Sequence, residues 1–169
     1  MVTNILEQAI KELGYTERGN NDNKYGVYFN TNNCSWCALF VSYCLEFTKN
    51  PLFYHLKDKN GKMRIGACYS TDGKVRANAY CPSIQEHFKE NGKLFKTDPK
   101  PSDIVLFCWD KSGIADHIGI VEKYNKETGY LTTIEGNTSS GTVGSQDNGD
   151  GVYRRQRHIS LTCGFIRPK

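Results

Sequence analysis

Apolar residues recur at helical spacing twice before the chain turns to alternation. Ile5, Leu6, Ala9, Ile10 and Leu13 form the first stripe, which predicts an amphipathic helix over 4–13. Asn4 and Glu7 have the spacing of a capping box, and Gly14 suits a left-handed stop. The polar, glycine-punctuated run 14–26 reads as a loop. A second helix is predicted from near Ser35 to about Thr48. Trp36, Leu39, Phe40 and Cys44 share one side, and Val41, Leu45 and Phe47 widen it. A helix apolar nearly all round belongs in the core, and Pro51 stops it. Residues 52–81 carry no clean period and read as a long irregular excursion. Pro82, then Ser83 and Glu86 as a second capping box, then Gly92, predict a short helix over 83–91.

From there the pattern changes. D-I-V-L-F-C-W (103–109), H-I-G-I-V-E-K-Y (117–124) and Y-L-T-T-I-E (130–135) are β-branched and aromatic, with turn residues between them, and read as strands. N-K-E-T-G (125–129) reads as a hairpin connection. Residues 136–151, rich in Gly, Ser, Asn and Asp, read as a loop, and the tail supplies one or two more strands. Helices first and strands later predict an α+β fold, with N-terminal helices packed on a C-terminal antiparallel sheet. At 169 residues the chain is expected to form a single domain over 1–169.

Composition narrows the partners more than the fold. The net charge of +4 suits an anionic partner such as a bacterial cell wall and is weak support for nucleic acid. Arg154, Arg155 and Arg157 read as a solvated strand or turn rather than a recognition patch. No apolar run is long enough to span a membrane. Met1 to Gly14 lacks a basic segment followed by an apolar one, so synthesis without a signal peptide is expected. Seven cysteines, an odd number, are expected to stay thiols.

Three of those cysteines, Cys34, Cys37 and Cys44, fall in N-N-C-S-W-C-A-L-F-V-S-Y-C. Cys34-x-x-Cys37 has the spacing of half a zinc site, but Cys68, Cys81, Cys108 and Cys163 offer no second pair. A thioredoxin-like site would need strands around the helix, and here they follow it. Cys44 and Cys108 read as small core residues, while Cys34 fits either role. Cys37 differs, because the first turn of a helix favours a thiolate. A thiolate nucleophile needs a base and an orienting group. If the strands around 125–129 pair, the turn lies midway between His117 and a partner near 135. That brings His117 close to Glu135 or Asn137. His55, His87 and His158 lack such partners, and Asp116 should point away from its neighbour His117.

These residues carry a family resemblance. W-C-A-L-F-V-S-Y-C, P-S-D-I-V-L-F, D-H-I-G-I-V-E, I-E-G-N-T and G-F-I-R-P resemble, in order, the blocks of the CHAP family of cysteine- and histidine-dependent amidohydrolases and peptidases. The likeness runs from about Asn4 to Pro168. Pro101-Ser102-Asp103 departs from the family's usual P-G-D turn, away from the chemistry. The resemblance implies a papain-like fold and cleavage of an amide bond in peptidoglycan, as amidase or endopeptidase. It assigns Cys37 as nucleophile, His117 as base, and Glu135 and Asn137 as the groups that hold the imidazole. Tyr25, Asn33 and Trp36 are expected at the substrate site, with Tyr25, Asn32 or Asn33 a candidate oxyanion donor. Some relatives bind calcium through an acidic loop. Here residues 20–24 offer one carboxylate, Asp22, so no metal or cofactor is expected. Peptidoglycan is the expected partner, met after release or export, by a monomer that binds neither nucleic acid nor membrane. A cysteine amidohydrolase acting outside the wall and a non-catalytic wall-binding module are the rival readings.

Overall fold

The computed structural model describes residues 4–141, 146 and 148–169. Part of the predicted 136–151 loop and the first three residues lie outside the described residues. Helix α1 spans Ile5–Lys11, with the Asn4 side chain accepting from the Glu7 N–H at 2.9 Å. Gly14 follows in the left-handed region at φ 85°. A five-residue helix α2, Lys24–Tyr28, interrupts the predicted loop. It is capped by Asn23, whose Oδ1 accepts from the Gly26 N–H at 2.8 Å. Five residues are too few to show a period, which is why the sequence hides it. Helix α3, Cys37–Phe47, is the buried one: every residue from Cys37 to Ser42 is out of solvent.

Residues 52–81 hold more order than their sequence suggests. Strands β1, Ala67–Tyr69, and β2, Val75–Asn78, form a small antiparallel sheet of their own. Helix α4 then runs Cys81–Glu90, two residues earlier than predicted. Its N-cap is Tyr80, with no side-chain cap, so the Ser83–Glu86 capping box does not form. Pro82 sits in the first turn, where a missing N–H costs nothing, and Glu86 instead pairs with the buried Arg64.

The main sheet has five antiparallel strands: β3 Ile104–Phe107, β4 His117–Asn125, β5 Tyr130–Thr138, β6 Gly151–His158 and β7 Thr162–Ile166. Their order is β6-β5-β4-β3-β7. The β4–β5 hairpin closes with the Gly129 N–H donating to the Asn125 carbonyl at 2.9 Å. Ile118, Ile120, Ile134, Val152 and Ile166 pack toward α1 and α3 in the larger apolar cluster. The opposite face carries Val105, Phe107, Val121, Leu131 and Phe165. The fold is α+β and papain-like, as expected. Among the described residues no helix is long and apolar enough to cross a membrane.

Candidate active site

Helix α3 begins against the end of β5, and one side chain fixes the junction. Asn137 Oδ1 accepts from the Trp36 N–H at 2.9 Å and from Ser35 Oγ at 2.8 Å. It thus caps α3 from another strand, where Trp36 offers no side-chain cap of its own. Asn137 sits at φ 57°, a conformation asparagine tolerates better than most residues. Next to it, a Cβ on Gly136 would stand 2.6 Å from Phe40 Cβ, so glycine is what lets α3 lie this close to the sheet. Cys37 is thereby held as the first residue of α3, where the first-turn N–H groups lack intrahelical acceptors.

His117 opens β4 and is fully buried. Its Nε2 lies 2.9 Å from Glu135 Oε2. The register differs by a small step from the sequence estimate. Ile120 stands opposite Ile134, with an irregularity between Val121 and Lys123. Extending that register places Gly119, not His117, across from Glu135. His117 therefore reaches Glu135 on the diagonal, a separation that long side chains span. Gly119 makes room for this: a Cβ there would meet Glu135 Cγ at 2.7 Å.

Glu135 is also fully buried and held from a third strand. Arg157 Nε donates to Oε1 at 2.9 Å and Nη2 to Oε2 at 2.6 Å, while Thr133 Oγ1 donates to Oε1 at 2.6 Å. Arg157 is itself 7% exposed and its guanidinium lies 4.9 Å from the centre of the Trp109 ring. His117 lies against Trp109 and Phe107, with ring centres 5.7 and 5.8 Å away. Arg157 thus departs from its reading as a solvated residue, while Arg154 keeps to it, pairing with Glu122 at the surface.

The charges alternate along this row. Burial alone would push Glu135 up, but the Arg157 and His117 hydrogen bonds and charges outweigh it and hold the carboxyl at about 2. Burial likewise opposes the charged form of His117. The hydrogen bonds to Cys37 and Glu135, with their charges, overcome it and raise the imidazole to about 9. With Nε2 on Glu135, Nδ1 is the ring nitrogen left for the interaction with Cys37. The Cys37 thiol is held well below its ordinary value, first by a hydrogen bond with Cys81, then by His117 and the Ala38 N–H, against the cost of burial. The sulfurs of Cys37 and Cys81 are 3.8 Å apart. Cys81 is pushed well above its ordinary value by that same contact and by burial.

Cys37 lines a cavity of about 510 Å³ together with Ser35, Tyr80, Cys81, Asp110 and Asp116. A hollow of about 600 Å³ beside Asn50, His87 and Arg167 contains neither Cys37 nor His117. None of the residues expected at the substrate site is among those that line the Cys37 cavity. Tyr25 and Trp36 are fully buried and stack on each other 5.3 Å apart. Tyr25 donates to Glu12 at 2.9 Å, and Trp36 Nε1 to Glu17 at 2.8 Å. They form the wall behind α3, out of reach of a substrate. Asn33 is exposed, with its amide on the Asn20 carbonyl, and Asn32 is committed to Asp22 and the Asn23 N–H. Asn137, expected to orient the imidazole with Glu135, instead caps α3; of the two, Glu135 is the one that hydrogen-bonds the ring. Asp116 is exposed, as read, and accepts from the Trp109 N–H at 3.0 Å. Cys44 and Cys108 are buried, and all seven cysteines are free thiols. Asp22 pairs with Arg18 at 2.7 Å. Among the described residues no group of three or more His, Cys, Asp or Glu side chains is placed to hold a metal ion.

Sequence reasoning passed over Arg157 and Cys81. For Arg157 a signal existed: alternation in β6 puts it on the sheet face that carries Glu135. For Cys81, a distant position with no patterned neighbours, there was none.

A cysteine at a helix start and a histidine at a strand start thus come together over an antiparallel sheet, on a papain-like fold. The chain belongs to the CHAP domain family, which matches residues 27–137. Among solved structures, that of Ly7917 "with the hydrolyzing product of MDP" is similar at a TM-score of 0.52 and 16% identity, covering 99% of this chain and 62% of that one. A second structure of Ly7917 matches at 0.49 and 17%, covering 98% and 62%. At such identity the likeness speaks for the fold, and the chain spans less than two thirds of Ly7917. No curated protein matches the chain in sequence.

Proposed function

We propose that this chain is a peptidoglycan hydrolase that cleaves an amide bond with the Cys37 thiolate. The observation that carries the reading is the buried row Cys37–His117–Glu135–Arg157, in which charges alternate and the Cys37 end opens on a cavity. Membership of the CHAP family supports the wall as substrate, and so does the product of MDP hydrolysis held by Ly7917.

The Cys37 sulfur attacks the carbonyl carbon, forming a C–S bond. The Cys37 N–H, at the start of α3, is the donor available to the developing oxyanion. His117 gives its Nδ1 proton to the leaving nitrogen as the C–N bond breaks, leaving a thioester. Water then attacks the thioester, its proton passes to His117, and the C–S bond breaks. Glu135 keeps Nε2 protonated and the ring in place throughout. The chemistry calls on neither metal nor cofactor, since the nucleophile is the thiolate itself, favoured by the groups that lower the Cys37 thiol.

The test is digestion of purified Gram-positive peptidoglycan by the wild type and by Cys37→Ala under reducing conditions, with mass spectrometry of the soluble fragments. Fragments from the wild type alone support the reading, and free lactyl groups or free peptide amines name an amidase or an endopeptidase. Equal digestion by the variant would sink the thiolate mechanism. No digestion by folded wild type would move the substrate outside the wall.

A further inference from the structure

The second thiol at the site has no part in the steps above, yet it touches the nucleophile. Cys81 is the first residue of α4, as Cys37 is of α3. Both thiols are about 95% buried, at 5% and 4% exposure. Both line the same cavity. Their sulfurs stand 3.8 Å apart, within reach of an S–H···S hydrogen bond and without a covalent link.

Which sulfur keeps the proton follows from what faces each. Cys37 faces the imidazole of His117 and the Ala38 N–H, both of which favour an anion. Behind His117, Glu135 and Arg157 complete the row. Cys81 shares the cavity lining with Asp116, ahead of β4, and lies within electrostatic reach of Cys163, on β7. Neither favours an anion, and Asp116 opposes one. The pair therefore resolves into a thiolate at Cys37 and a thiol at Cys81.

We propose that Cys81 is a positioning residue whose S–H donates to the Cys37 sulfur, fixing that sulfur toward the cavity and favouring its ionised form. The proposal rests on the reading of Cys37 as nucleophile. It accounts for a feature that an oriented imidazole alone leaves idle: a buried thiol aimed at the reacting atom from a separate helix. A thiol is a weak donor, but in a buried site with few competing partners a weak donor to an anion still matters.

The test is the pH dependence of Cys37 alkylation by iodoacetamide, with a phosphine reductant present and the modified peptide assigned by mass spectrometry. Wild type, Cys81→Ala and Cys81→Ser are compared, each with its thermal melt and its kcat/KM profile on peptidoglycan. In Cys81→Ala the midpoint for Cys37 should rise by about one pH unit, and the acid limb of kcat/KM should move with it. Cys81→Ser, whose hydroxyl also donates, should return the midpoint most of the way. If Cys81→Ala melts early, Cys81→Val supplies the donor-free variant. An unmoved midpoint in a folded donor-free variant would overturn the proposal, as would a serine variant indistinguishable from it. A wild-type midpoint at the ordinary thiol value would instead remove the nucleophile reading itself. A shifted midpoint without wall digestion would leave Cys81 in its role and remove only the substrate.

Discussion

Arg157 grips both carboxylate oxygens of Glu135 from the neighbouring strand, at 2.9 and 2.6 Å, with neither side chain in appreciable contact with water. Breaking one partner of a buried ion pair leaves the other uncompensated, at a cost of about 3–5 kcal/mol. Arg157→Ala should therefore lose stability on that scale in denaturant melts. It should also lower kcat/KM, because Glu135 no longer holds His117. Arg157→Lys should recover only part of either, since one ammonium cannot reproduce the fork.

Glu135→Gln keeps the shape of the side chain and removes its charge. The His117 imidazole should then fall from about 9 toward its ordinary range. The alkaline limb of kcat/KM should move to lower pH, with a loss in rate on the order of 10²-fold or more. A pH–rate profile of the variant reads both effects at once.

Glu135 and His117, both fully buried, set opposite edges to the stability profile. Glu135 is lowered from 4.5 to about 2, so its contribution is full above about 4.5 and is lost as the pH falls toward 2. His117 is raised from 6.5 to about 9, so its contribution is full below about 6.5 and is lost as the pH rises through 9. Thermal melts across pH should peak between those edges. Activity should likewise fall as the pH passes about 9, where His117 loses the proton it gives to the leaving group.

Gly119→Ala tests the space that the diagonal contact needs. The new methyl would lie 2.7 Å from Glu135 Cγ, forcing the carboxylate off His117 or shifting β4. A loss of about 1–3 kcal/mol is expected in melts, together with a drop in kcat. Gly92→Ala is the control. Its Cβ would meet nothing within 4 Å, but its φ of 64° strains any side chain. It should therefore lose stability while kcat stays in place.

Asn137→Ala separates capping from catalysis. It removes the hydrogen bonds to Trp36 and Ser35 and puts alanine at φ 57°. Loss of a cap costs about 0.5–2 kcal/mol, and the strained backbone adds to it. Asn137→Gly should relieve the strain and lose the side chain's hydrogen bonds alone: the cap and the bond its amide gives the Gly149 carbonyl at 2.9 Å. In both variants the alkaline limb set by His117 should stay in place, whereas an imidazole-orienting role for Asn137 would move it.

The sequence by itself determined the order of helices and strands, the burial of α3, the hairpin at 125–129 and the nearness of His117 to Glu135. Each follows from a local period or a turn, and both act over a few residues. It also singled out Cys37, because a helix start is a local feature. Only the tertiary structure decided what Asn137 does, since its partner Trp36 lies 101 residues earlier in the chain. The same holds for Tyr25 and Trp36: an aromatic side chain near a nucleophile looks alike in sequence whether it faces the cleft or the core. Arg157 changed from a solvent-facing residue to the anchor of Glu135 because two strands had to pair before its charge found a partner. Cys81 came beside Cys37 through the packing of two helix starts, a contact that no pattern along the chain records.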